Sequence, residues 1–171
     1  MMLCCVALTA AHPIAQASDK PPATPSGSTP AAPLVSDTLA AQVMLDRLGF
    51  SSGEIDGRPG SNVKGAIAAF QKANGRQISG DLDEATWQAL RERAGNVPPL
   101  MAYAVTDADL AGPFSPNIPA DLEQQAQLDA LRYKDPLEAL AERFHTSPPL
   151  LKTVNPGMAL KAGERIMVPN V

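Results

Sequence analysis

A chain of 171 residues with a formal net charge of -4 has room for one ordinary domain or two small ones, and its apolar share of 44% is that of a globular protein. Aromatic residues make up only 4%, so any core is built mostly of Ala, Leu, Val and Ile. The acidic balance and the lack of any Lys/Arg run exclude a nucleic-acid partner held by bulk charge.

The first segment, residues 1–17, reads "MMLCCVALTAAHPIAQA": a short apolar run that ends in the small-x-small triplet Ala15-Gln16-Ala17. It reads as a secretory signal peptide, which implies export to the periplasm or cell envelope, although it lacks a positive start. The run is too short to span a membrane. A lipid-anchor reading of Cys4 or Cys5 would need an apolar segment before either residue. Cleavage after Ala17 removes both cysteines, so the mature chain would have neither disulfide nor thiol chemistry. Residues 18–36, "SDKPPATPSGSTPAAPLVS", are almost free of large apolar side chains. They read as a Pro-rich, disordered tether, because they cannot bury enough surface to offset the entropy of ordering.

Helical periodicity follows. Leu39, Val43, Leu45 and Leu48 predict one buried face of a helix opening at Ser36 or Asp37 and closing at Gly49. Val63, Ala66, Ile67 and Phe70 predict a second, capped by Ser61 and stopped at Gly75. A third runs from Asp83 to Ala94 with Trp87 and Leu90 inward and Gly95 after it, so residues 37–95 predict a three-helix bundle.

The connection before the second helix, "GEIDGRPG" at residues 53–60, invites a phosphate-loop reading, but its glycines match neither phosphate fingerprint and no Lys-Ser/Thr pair follows. Instead Ile55-Asp56-Gly57, six residues before Val63, echoes Ile78-Ser79-Gly80, six residues before Thr86. Each copy predicts a turn into a helix. Glycine supplies backbone conformations that other residues avoid, Ile tucks under the bundle, and Ser61 or Asp83 caps the next helix.

"RLGF" at residues 47–50, "DGRPGSNV" at 56–63, "AIAAFQ" at 66–71 and "TWQAL" at 86–90 together resemble the three-helix peptidoglycan-binding domain found beside many bacterial wall enzymes. Val63 stands where that family usually has Thr, and Ser79 and Asp83 stand where it has Asp and Gly.

Residues 99–171 predict a second unit. "MAYAVT" at 101–106 alternates as a strand, "DPLEALAERF" at 135–144 and "SPPLLKTVN" at 147–155 read as short helices, and "RIMVP" at 165–169 reads as a closing strand. The two strands are expected to pair antiparallel, which is how such short segments satisfy their backbone groups. Asp135, Leu137, Leu140, Ala141, Phe144, Ser147, Leu151, Asn155, Leu160, Gly163, Ile166, Val168 and Pro169 resemble the pattern of a LysM module. An insertion at about residues 107–134, containing "AGPFSP", makes it atypical. The expected fold is therefore mainly α with a small β component: a three-helix peptidoglycan-binding bundle followed by a LysM-like βααβ module.

The order of segments also resembles the noncatalytic N-terminal half of a periplasmic L,D-transpeptidase. That enzyme uses a cysteine thiolate activated by histidine, and no such pair follows residue 17. His145 reads as a surface or capping residue, and a single His with scattered carboxylates does not make a zinc site. Asp81, Asp83 and Glu84 sit at a helix start, where backbone amides favour acids, rather than forming a glycosidase pair. Trp87 reads as a core anchor before a sugar platform. No catalytic residue, metal or cofactor is therefore expected.

The expected activity is noncatalytic peptidoglycan binding that targets a cell-wall enzyme. Two alternatives stay open: an L,D-transpeptidase whose catalytic domain lies beyond Val171, or protein-docking domains that hold the transpeptidase or another partner protein without touching glycan. Candidate ligand contacts are the turn carrying Asp56, Gly57, Arg58 and Asn62, and the loops Asp135-Pro136 and Asn155-Pro156-Gly157. They combine exposed amides, polar side chains and restricted backbones. By the LysM resemblance, Asp135 and Asn155 flank the ligand, with the long insertion placed either to cover that groove or to leave it open.

Overall fold

Ser36 starts the first helix, because its Oγ accepts the Leu39 N–H at 3.1 Å and so satisfies one amide that a helix start leaves without a partner. The helix is α1 (Asp37–Arg47), and Gly49 ends it with φ +79°. The computed structural model describes residues 35–171. The segments expected to be a signal peptide, residues 1–17, and a Pro-rich tether, residues 18–36, lie outside the described residues except for residues 35 and 36.

α2 (Ser61–Ala73) and α3 (Glu84–Ala94) complete the bundle. Asp83 caps α3 as expected, with Oδ1 accepting the Thr86 N–H at 2.7 Å. Ser61 does not cap α2. Gly60 holds that place in extended backbone, its carbonyl accepts the Lys64 N–H at 3.0 Å, and Ser61 is already the first helical residue.

Met44 and Leu45 of α1 meet Val63, Ile67 and Phe70 of α2 and Leu90 of α3 in one core, with Phe50 packed edge-on to Phe70 at 5.5 Å between ring centroids. Burying each of the larger side chains stabilises the fold by about 1.5–3 kcal/mol. Trp87 packs against this core half-buried, with the Arg91 guanidinium 5.7 Å from its ring centre.

The second part begins with β1 (Leu100–Ala104), followed by α4 (Asp107–Ala111), α5 (Leu122–Gln125), α6 (Pro136–Arg143), α7 (Pro148–Val154) and β2 (Arg165–Pro169). β1 and β2 pair antiparallel as expected, with Ala102 opposite Met167 and Tyr103 opposite Ile166. Val105 extends the ladder through hydrogen bonds to Glu164 and Gly163. Leu140, Phe144, Leu151, Ile166 and Val168 form the core beneath this sheet. The insertion folds back: α4 packs on α6, held by a capping box between Thr106 and Asp109. No helix among the described residues is long and apolar enough to cross a membrane.

Two expectations require correction here. The apolar stripe of α1 does not form one face. Leu45 points into the bundle, whereas Leu39 and Val43 join Ile55, Leu100 and Val154 in a third apolar cluster between the bundle and the second part. The two repeated isoleucines also part company: Ile55 is 0% exposed and Ile78 is 59% exposed. Ile55 tucks under because a second surface covers it, and Ile78 has no such cover among the described residues.

That cover is a backbone junction. Ile55 N–H donates to the His145 carbonyl at 2.8 Å, Ser147 N–H donates to the Ile55 carbonyl at 3.0 Å, and the buried Thr146 hydroxyl donates to the same carbonyl at 2.8 Å. Together they make a parallel bridge between Ile55 and Thr146. Beside it the His145 imidazole Nδ1 lies 2.9 Å from an Asp46 carboxylate oxygen, with His145 itself in left-handed backbone at φ +52°.

Candidate functional site

The two repeated turns are built on buried glutamines. In the first, Gln42 of α1 accepts the Gly57 N–H at 2.8 Å through Oε1 and donates from Nε2 to Asp56 Oδ1 at 3.0 Å. In the second, Gln71 of α2 accepts the Ser79 and Gly80 N–H groups at 2.9 Å each, and donates to Ser79 Oγ, the Asp81 carbonyl and Thr86 Oγ1. Each amide side chain supplies the donor and acceptor that a tight turn cannot find locally. Gly57 and Gly80 have φ of +72° and +73°, and a Cβ at Gly80 would lie 3.1 Å from the Lys64 carbonyl. These positions need glycine.

Sequence reasoning missed both glutamines as organisers. For Gln71 a signal was present, a polar residue closing the apolar run "AIAAF" where the stripe would bury it. For Gln42 nothing local marks the role.

The first turn holds the candidate residues Asp56, Gly57, Arg58 and Asn62. Burial pulls the Asp56 carboxyl upward, but hydrogen bonds from Gln42 and the Arg58 amide, with the Arg58 charge, outweigh it and leave the group below its ordinary value. It is ionised at neutral pH. Arg58 and Asn62 are exposed, and their side chains make no hydrogen bonds among the described residues. Gly57 is only partly open: a Cβ there would lie 3.7 Å from Leu150 of α7.

The second candidate set is divided by the fold. Asn155, with the exposed Gly157, lines a groove of about 350 Å³ together with Leu137, Lys152 and residues Met158–Leu160. Asn155 also clamps β2 to the end of α7: Oδ1 accepts the Met167 N–H at 2.6 Å, and Nδ2 donates to the carbonyls of Met167 and Leu151. Its carboxamide is thus committed to backbone. Asp135 is committed likewise, capping α6 through the Glu138 N–H at 2.9 Å, with Pro136 in the first helical turn; neither lines the groove. Pro156 is exposed beside it. No residue of the insertion lines this groove.

The carboxylates at the start of α3 are engaged as ion pairs. Asp81 lies 3.7 Å from Lys64, and Glu84 lies 3.0 Å from Arg91. Chemically the arrangement offers hydrogen-bonding turns and shallow grooves rather than a pair of converging reactive groups.

Comparison with known families agrees with this architecture. Residues 35–90 match the family model of the peptidoglycan binding domain, so such a domain is found over α1, both turns and the first part of α3. The matched family is a noncatalytic binding domain. No curated protein matches the chain.

Proposed function

We propose that this chain is a noncatalytic targeting unit that holds a cell-wall enzyme, of the L,D-transpeptidase kind, on peptidoglycan in the periplasm or cell envelope. The observation that carries the reading is the family match at residues 35–90, on a bundle whose two turns are preorganised by buried glutamines. The second part acts as an atypical LysM-like module, with the groove beside Asn155 as its ligand surface. Its strand–helix–helix–strand core supports this role. Each surface is shallow and polar and so binds weakly alone, because desolvation offsets much of the contact energy. Two on one polymer gain effective concentration. The junction through Ile55 and Thr146 sets their spacing.

The docking alternative draws support from one observation: the first turn already spends one edge, at Ile55, on protein contact. Chemical-shift mapping of the ¹⁵N-labelled chain with muramidase-solubilised peptidoglycan separates the readings. Shifts at Gly57–Asn62 and Asn155–Leu160 are expected. Shifts absent from both segments, while a purified transpeptidase catalytic domain perturbs them, contradict the proposal.

A further inference from the structure

A larger cavity, about 560 Å³, opens between the insertion and α6, and shares no lining residue with the groove beside Asn155. Its polar end is Arg143. One nitrogen, Nη1, donates to the Tyr103 hydroxyl at 3.0 Å and to Asp109 Oδ1 at 2.9 Å, and the guanidinium centre lies 5.2 Å from the Tyr103 ring centroid. Asp109 is fully engaged behind it: Oδ2 accepts from the Tyr103 hydroxyl, the Thr106 N–H and the Thr106 hydroxyl, and its side chain is only 7% exposed. Arg143 is 57% exposed, and Nε and Nη2 make no hydrogen bond among the described residues. A guanidinium fixed on one side with its Nε–Nη2 edge free is preorganised to take a carboxylate with two parallel hydrogen bonds. A second cation, Arg132, lines the same cavity, where Asp109 is the sole carboxylate. The walls are apolar: Phe114, Leu131 and Tyr133, the last two left exposed, while a Ser115–Tyr133 backbone hydrogen bond of 2.8 Å holds the two edges of the insertion together.

We propose that this cavity binds the peptide stems of peptidoglycan, through a free carboxylate on Arg143 and Arg132 and small apolar side chains against Phe114 and Leu131. The choice of ligand rests on the peptidoglycan reading above. The neutral glycan offers no anion for this pair of cations, whereas the stems carry carboxylates and alanine methyl groups.

The test titrates the ¹⁵N-labelled chain with a synthetic L-Ala-γ-D-Glu-L-Lys-D-Ala stem peptide and, separately, with neutral chitotetraose. The stem peptide is expected to shift the amides of Phe114, Arg132 and Tyr133 and the Arg143 side-chain N–H, and chitotetraose is expected to leave them unmoved. Arg143→Gln should weaken binding about tenfold, the size of a lost hydrogen-bonded charge contact. Arg132→Gln, on the exposed insertion and remote from the core, should weaken it to a smaller degree. Absence of these shifts, wild-type affinity in both variants, or chitotetraose binding in the same cavity overturns the proposal. Retention on intact sacculi, measured in parallel, keeps the two claims apart. A chain that is retained but shows no stem-peptide shift loses only the cavity assignment, and one that binds the stem peptide at Arg143 without being retained loses only the wall reading.

Discussion

Replacing Gln71 with alanine tests whether a single buried amide organises the second turn. The side chain is fully buried and makes five hydrogen bonds, two accepted and three donated. Ser79 and Asp81 are exposed, so water can replace their share. The Gly80 N–H is buried and is left without a partner, and the buried Thr86 hydroxyl keeps only its contact with the Asp83 carboxylate. A buried polar group stripped of its hydrogen bond costs about 1–3 kcal/mol, so the orphaned amide, partly relieved by movement of the turn, should cost about 2 kcal/mol. For a unit of this size that lowers the unfolding midpoint by roughly 8 °C. Urea unfolding followed by far-ultraviolet circular dichroism and by the fluorescence of Trp87, the single tryptophan and the neighbour of Thr86, gives the number. A loss below about 0.5 kcal/mol would refute the reasoning, because it would mean that the turn holds its shape without the amide.

Further outcomes follow from individual contacts. Asn155→Ala should speed hydrogen exchange at the Met167 amide and destabilise the fold by about 2 kcal/mol with no ligand present, because the β2 clamp is lost; unchanged exchange would return Asn155 to a purely ligand-facing role. Burial draws the Asp109 carboxyl upward, but the Thr106 amide, the hydroxyls of Tyr103 and Thr106 and the Arg143 charge together hold it below its ordinary value of 3.8. Since the folded value lies below the unfolded one, the stabilisation is complete above that ordinary value and is lost as pH falls through the folded value. The midpoint of wild type should therefore drop more steeply on acidification below about pH 4 than that of Asp109→Asn. His145→Gly should change stability by less than about 0.5 kcal/mol, since relief of left-handed backbone offsets loss of the half-exposed imidazole contact with Asp46, whereas His145→Val should cost more than about 1 kcal/mol. Thermal unfolding of the two variants side by side checks this.

Local pattern made much of the fold legible. The stripes on α2 and α3, the helix start at Ser36, the cap at Asp83, and the alternation of β1 and β2 each depend on residues a few positions apart. The junction was not legible, because Ile55 and Thr146 are 91 residues apart and nothing in either segment names the other. The same distance hid the double role of α1: Leu39 and Leu45 look alike in sequence and differ only in which surface reaches them. At the candidate site the polar types at Asp56, Asp135 and Asn155 were visible, but their hydrogen-bond partners were not. A capping aspartate or a strand-clamping asparagine carries the same letter as a ligand-binding one. Arg143 went unnoticed for the same reason, since its place between Tyr103 and Asp109 exists only once the insertion folds back onto α6.

Peptidoglycan binding itself is tested most directly by the adsorption isotherm of the intact chain on purified sacculi. The account predicts saturable retention in the pellet, released when muramidase dissolves the sacculi and absent on cellulose. Protein that stays in the supernatant at every sacculus concentration, or that sediments equally with cellulose, would contradict it.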